Sequence, residues 1–167
     1  MAAWILVLLL AVSPPGRVPA RESLEAGEER YRAVAADVAE VVATSPPIFA
    51  GSQGREQTTA LLVAVAALES GLRLDVDTGT RRGPAGECGL WQTMPVAGRC
   101  PETRRAAAAL ALERMRASFA ACHAAPVAER LAVYASGSCS RGLAESRARV
   151  ELARRLVARH PPPKETP

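Results

Sequence analysis

Residues 60–68 read Ala-Leu-Leu-Val-Ala-Val-Ala-Ala-Leu, an unbroken apolar run that ends at Glu69-Ser70-Gly71. A helix that is apolar on every side has no face to give to water, so the rest of the chain has to enclose it. The run is too short to cross a bilayer and therefore reads as the central helix of a protein core. The pattern predicts a helix over about 57–70, with Gly71 supplying a left-handed cap. Glu69 then sits where a charge is costly. The apolar flank, with Leu68 and Leu72 as neighbours, removes water, and the helix C-terminus presents partial negative charge, so both effects favour the protonated acid.

The chain has 167 residues, 49% of them hydrophobic but 4% aromatic. That length supports one core, and so few rings mean a core of closely packed helices rich in Ala and Val. Tyr31, Val34, Ala35, Val38, Val41 and Val42 recur at helical spacing, which predicts an amphipathic helix over 23–45 stopped by Pro46-Pro47. Residues 47–54 read as a loop. Helix resumes over 101–121 and again over 126–135, each with a proline near its first turn, and a last helix covers 141–159. Over 72–100 the helical period is lost. Gly79, Gly83, Gly86, Gly89, Gly98, Pro84 and Pro95 argue against helix there, and residues 90–94 read as a short strand or hairpin edge. Irregular backbone of this kind is where sites tend to lie. The predicted class is mainly α with a small β element.

Residues 4–12 form a second apolar run, followed by Ser13-Pro-Pro-Gly16 and Val18-Pro-Ala20, which offer a breaker and small residues for cleavage. This is the pattern of an export signal over 1–20, although no Lys or Arg precedes the run, and an uncleaved anchor is the alternative. One domain then occupies 21–160, and the proline-rich 161–167 reads as a flexible tail. The export reading places the protein in the periplasm or outside the cell. Four cysteines, Cys88, Cys100, Cys122 and Cys139, fit that compartment as two disulfides. Of the three connectivities, Cys88 with Cys100 and Cys122 with Cys139 is favoured, because each closes a short local segment and adds about 2–4 kcal/mol. The cysteines are too widely spaced for a typical zinc site, and His123 and His160 read as solvated, so neither metal nor organic cofactor is expected.

A formal charge of +4 is mild. It suits an acidic partner such as a cell-wall polymer without requiring one. The arginines of the last helix, Arg141, Arg147, Arg149, Arg154, Arg155 and Arg159, do not point to nucleic acid. Glu145 with Arg149 and Glu151 with Arg155 are spaced as i,i+4 pairs, and no aromatic interleaving or nucleic-acid motif accompanies them, so this reads as a solvated face.

Three segments carry a resemblance. Glu69-Ser70 closes a helix, Gly86-Glu-Cys-Gly-Leu-Trp-Gln-Thr-Met-Pro95 follows, and then comes Leu131-Ala-Val-Tyr-Ala-Ser-Gly137. In order and spacing this resembles the lytic transglycosylase catalytic domain of the lysozyme-like fold, over about residues 57–156. The chain departs from that pattern at Trp91, where the family carries Met, and at Thr93, where it carries an aliphatic residue. Glu87 stands where Ala is usual, and Ala135-Ser136 stand for Asn-Ala. The resemblance implies cleavage of the β-1,4 bond between N-acetylmuramic acid and N-acetylglucosamine of peptidoglycan, with Glu69 as acid and then base and a 1,6-anhydromuramic product. It also implies that Tyr134 hydrogen-bonds and orients the Glu69 carboxyl, that Ser70 supports the acid or the nearby substrate, and that Gln92 contacts substrate in the cleft. Trp91 is equally suited to stack on a sugar or to fill the core.

Two further readings follow from the same residues. An inverting hydrolase of the same bond, as in the similar goose-type lysozymes, needs a second carboxylate to activate water, and Asp75 or Asp77 stands in the loop after Glu69. As sequence alone, both aspartates read better as turn caps or solvent-facing charges, and Glu87 as a surface charge. A non-enzymatic wall-binding or secretion-accessory protein would keep the fold and groove without the chemistry. The expected partner in each case is a peptidoglycan strand, met by a monomer, with an envelope-spanning assembly or a phage particle as the wider settings.

Overall fold

A computed structural model describes residues 1–15 and 22–163. The protein is mainly α. At its centre lies α3 (Gly54–Ser70), in which Thr58 to Ala66 are all buried. Around it pack α1 (Ala2–Val12), α2 (Leu24–Thr44), α5 (Arg104–Ala121) and α7 (Leu143–Arg159), the last making the most extensive helix pair with α3. The short α4 (Leu74–Asp77) follows α3 in the chain, and the short α6 (Ala132–Ser136) packs against α5 and α7.

The predicted helix ends are close to the observed ones for local reasons. Ser23 caps α2 by accepting from the Ala26 N–H at 3.1 Å, and Thr103 caps α5 by accepting from the Ala106 N–H at 3.1 Å. Gly71 ends α3 with φ 61°, a conformation that costs glycine little and most other residues more.

The expected helix over 126–135 is instead broken in two. A 3₁₀ turn, Val127–Glu129, precedes α6. Two buried hydroxyls take over the backbone between them. Ser118 donates to the Arg130 carbonyl at 2.8 Å and accepts from the Tyr134 N–H at 3.1 Å. Ser146 donates to the Ala128 carbonyl at 2.8 Å and accepts from the Leu131 N–H at 3.0 Å. Backbone groups that a continuous helix would pair internally are thus paired by side chains of α5 and α7.

The small β element is also not formed as a sheet. Among the described residues there are isolated antiparallel bridges, Cys88 with Thr93 and Val96 with Arg99. Residues 90–94 turn back on themselves because Gly89 and Gln92 both have positive φ, at 64° and 45°. α4 lies inside the segment that the glycines and prolines marked as irregular. A partly buried ion network holds it: Arg104 meets Asp77 at 2.8 Å and Asp37 at 3.1 Å, and Arg30 meets Asp77 at 3.4 Å and Glu22 at 2.8 Å. These charges tie α2, α4 and α5 to one another.

The disulfides are Cys88–Cys100 and Cys122–Cys139, the favoured connectivity, and they are compatible with an oxidising, exported setting. The first apolar run, read as an export signal, forms α1 against α2 and α3, with Ile5, Leu8 and Leu9 buried. Trp4 Nε1 donates to the His160 carbonyl at 2.7 Å, Ser13 donates to the Gly71 carbonyl at 3.3 Å, and the buried Tyr31 hydroxyl donates to the Ser13 carbonyl at 2.9 Å. Most of the expected cleavage region, residues 16–21, and the end of the tail, 164–167, lie outside the described residues. No helix among those described is long and apolar enough to cross a membrane.

If α1 is part of the folded body, Leu8→Ala in the full-length chain lowers stability by about 2–5 kcal/mol. Urea denaturation reads this, and an unchanged midpoint would show that α1 does not contribute.

Candidate functional site

Where α3 ends, a cleft of about 600 Å³ opens. Glu69 enters it from α3, Glu87 and Gln92 from the irregular loop, Arg114 from α5, Tyr134 from α6 and Arg149 from α7. Three of the four residues singled out from the sequence, Glu69, Gln92 and Tyr134, therefore meet around one space.

Ser70, the fourth, works behind the cleft. Its buried hydroxyl donates to the Ala66 carbonyl at 2.8 Å and accepts from the Leu72 N–H at 3.2 Å. Leu72 is buried with φ 55°, a costly conformation for a leucine. The hydroxyl thus helps to hold the turn on which the last residues of α3 depend.

The surroundings of Glu69 differ from the expected apolar flank. Leu72 is buried, but Leu68 is 49% exposed. The carboxylate meets a guanidinium: Arg149 Nη2 lies 2.5 Å from Glu69 Oε1. Arg149 is 8% exposed, and its Nε and Nη1 are buried without a hydrogen-bond partner among the described residues. Withdrawing those donors from water costs about 1–3 kcal/mol each. The reading of Arg149 as one of a solvated i,i+4 pair with Glu145 is overturned. Along α7 the buried residues are Ser146, Arg149, Val150, Ala153 and Leu156, so Arg149 stands on the inward stripe. Its neighbour pair Glu151 and Arg155 does form, at 3.5 Å, on the exposed face.

Tyr134 donates its phenolic proton to the Trp91 carbonyl at 2.6 Å rather than to the Glu69 carboxylate. Burial, and then the nearby Glu69 charge, push the phenol far above its usual range, so it stays a donor. The bond fastens the second sequence motif to the third. Trp91 itself is buried, with Nε1 donating to the Leu62 carbonyl of α3 at 2.9 Å, and does not line the cleft. Gln92 does line it, with Nε2 held by the Gly89 carbonyl at 2.8 Å.

The carboxylates considered for water activation are placed elsewhere. Asp75 pairs with Arg73 at 2.6 Å, and the hydrogen bond from Arg73 holds its carboxyl below the usual range. The Asp77 side chain is 1% exposed and is consumed by Arg104 and Arg30. Neither lines the cleft. Glu87, read as a surface charge, does line it. All four cysteines are in disulfides, so no thiolate is left to hold a metal.

Against known family models, curated proteins and solved structures, the chain has no match.

Arg149→Leu leaves Glu69 facing a largely buried gap and lowers stability by about 3–5 kcal/mol. The double variant with Glu69→Gln loses less than the two single losses added together, read as a coupling in a denaturation cycle. Tyr134→Phe leaves the Trp91 carbonyl without its donor and costs about 1–3 kcal/mol, measured the same way.

Proposed function

We propose that this protein is a peptidoglycan lytic transglycosylase with a lysozyme-like fold, acting in the cell envelope without a cofactor. The observation that supports this most is the meeting of three separated sequence segments around one cleft, with the carboxylate of Glu69 at the end of a buried helix. Their order along the chain resembles that family, and their convergence is what a shared site requires.

In this reading a glycan strand lies in the cleft. Glu69 gives a proton to the glycosidic oxygen as the bond to C1 of N-acetylmuramic acid breaks and positive charge develops on that sugar. The acetamido oxygen of the same sugar supports C1. Glu69, now a carboxylate, takes the proton of the C6 hydroxyl, whose oxygen closes on C1 to give the 1,6-anhydro ring. Arg149 Nη2, 2.5 Å from Glu69 Oε1, positions the carboxylate for this second step. The first step needs the proton on Glu69, which passes to the glycosidic oxygen.

Gln92 contacts substrate in the cleft. Tyr134 acts on the loop through the Trp91 carbonyl, and Ser70 acts on the turn after α3. The partner is the glycan strand. The disulfides fit an exported enzyme working on it.

The test is mass analysis of sacculi digested with oxidised protein, with Glu69→Gln in parallel. Anhydromuramic ends are expected from the unchanged protein and not from the variant. Folded protein that binds sacculi without cleaving them would instead favour a wall-binding role.

A further inference from the structure

Glu87 has no role in the ring-closing reaction, yet it faces the same cleft as Glu69. Its carboxylate is held in place. Oε2 accepts from the Ala85 N–H at 2.8 Å, and the surrounding turn is closed by Gly83 N–H to the Glu87 carbonyl at 3.1 Å and Gly86 N–H to the Gly83 carbonyl at 3.0 Å. Among the described residues no Lys or Arg forms an ion pair with it.

Gly83 fixes where that carboxylate lies relative to Gln92. A Cβ on Gly83 would stand 2.3 Å from Glu87 Oε2 and 2.4 Å from Gln92 Oε1, so neither side chain could keep its place beside an alanine. Both oxygens therefore flank one small region. The Gln92 amide nitrogen is already engaged with Gly89, which turns its oxygen, an acceptor, toward this region. Two neighbouring acceptors, one of them a carboxylate, call for a species that donates two hydrogens. Water does so, a water that donates to both oxygens directs its lone pairs away from them, and both residues line the cleft that Glu69 also lines.

We infer that Glu87 is a second catalytic residue, the general base for a water that competes with ring closure, and that Gln92 holds that water. The inference rests on the reading of Glu69 as the glycan-cleaving acid. The step balances as follows: the water oxygen bonds to C1, and the bond from C1 to the glycosidic oxygen breaks. Glu69 gives its proton to that oxygen, and Glu87 takes a proton from the water. The products are a muramic reducing end and a free 4-hydroxyl. The enzyme would release reducing ends alongside anhydro ends, and Glu87 would set their proportion.

The experiment is digestion of sacculi by the full oxidised chain and by Glu87→Gln, with reducing and anhydromuramic ends counted separately by mass and a thermal melt run on each protein. Glutamine keeps an oxygen for the Ala85 N–H but is a far weaker base. The expected result is both kinds of end from the unchanged protein, with reducing ends lowered about 10²-fold or more by Glu87→Gln, anhydro ends retained and the melt unmoved. Gly83→Ala, which displaces both oxygens, should shift the proportion the same way. Anhydro ends alone from the unchanged protein would overturn the role of Glu87 and leave the transglycosylase reading standing. A parallel fall of both products in Glu87→Gln would reduce Glu87 to a structural residue. Absence of any cleavage would sink both readings.

Discussion

The burial of α3 on all sides governs the arrangement of everything else. A helix whose residues from Thr58 to Ala66 are all removed from water leaves its neighbours no choice but to surround it, and only its ends can meet solvent. A polar group at such an end is held by a support that is itself packed from several directions. Glu69 gains its position in this way, from the packing of α7 and α2 on α3 as much as from its own contacts. Gly71 stops the helix immediately afterwards, so the carboxylate stands in the last turn with the chain already leaving the axis.

The ion pair between Glu69 and Arg149 spans the most extensive of these helix contacts. Removing a guanidinium from water with two of its nitrogens unpartnered among the described residues is unfavourable, and hydrocarbon side chains in place of both Glu69 and Arg149 would pack at lower cost. A charge kept at such expense opposite the carboxylate of a cleft is more easily understood as a feature of the site than of the fold. It also revises the physical picture of Glu69. Its carboxylate faces a guanidinium where the sequence suggested only apolar neighbours.

Much of the helical frame was legible because it rests on local signals. Ser23, Thr103 and Gly71 mark helix ends through hydrogen bonds and backbone preferences that act over a few residues. The cysteine pairing was legible for the same reason, each bridge closing a short segment. What the sequence concealed depends on distant partners. The helix over 126–135 was lost to Ser118 and Ser146, hydroxyls from two other helices. Arg149 matched the inward stripe of α7 and also the i,i+4 rule with Glu145; the stripe prevailed because α3 supplied a carboxylate across the interface. Glu87 gave no local sign of lining the cleft, since its direction is set by the turn at Gly83.

The loop over 72–100 could be expected to blur the site, because it has neither sheet nor long helix. It does not, because its centre is fastened at short intervals to the helical body. Trp91 is buried and bonded to α3 through its indole, its carbonyl is bonded to α6 through Tyr134, and Cys88 beside it is bridged to Cys100 just before α5. Gln92 follows directly in a left-handed conformation that those neighbours hold in place. The separation between the loop side chains and Glu69 is therefore set by the same helix that carries Glu69, through the Leu62 carbonyl two turns earlier. Irregular backbone here provides direction, and the helices provide precision.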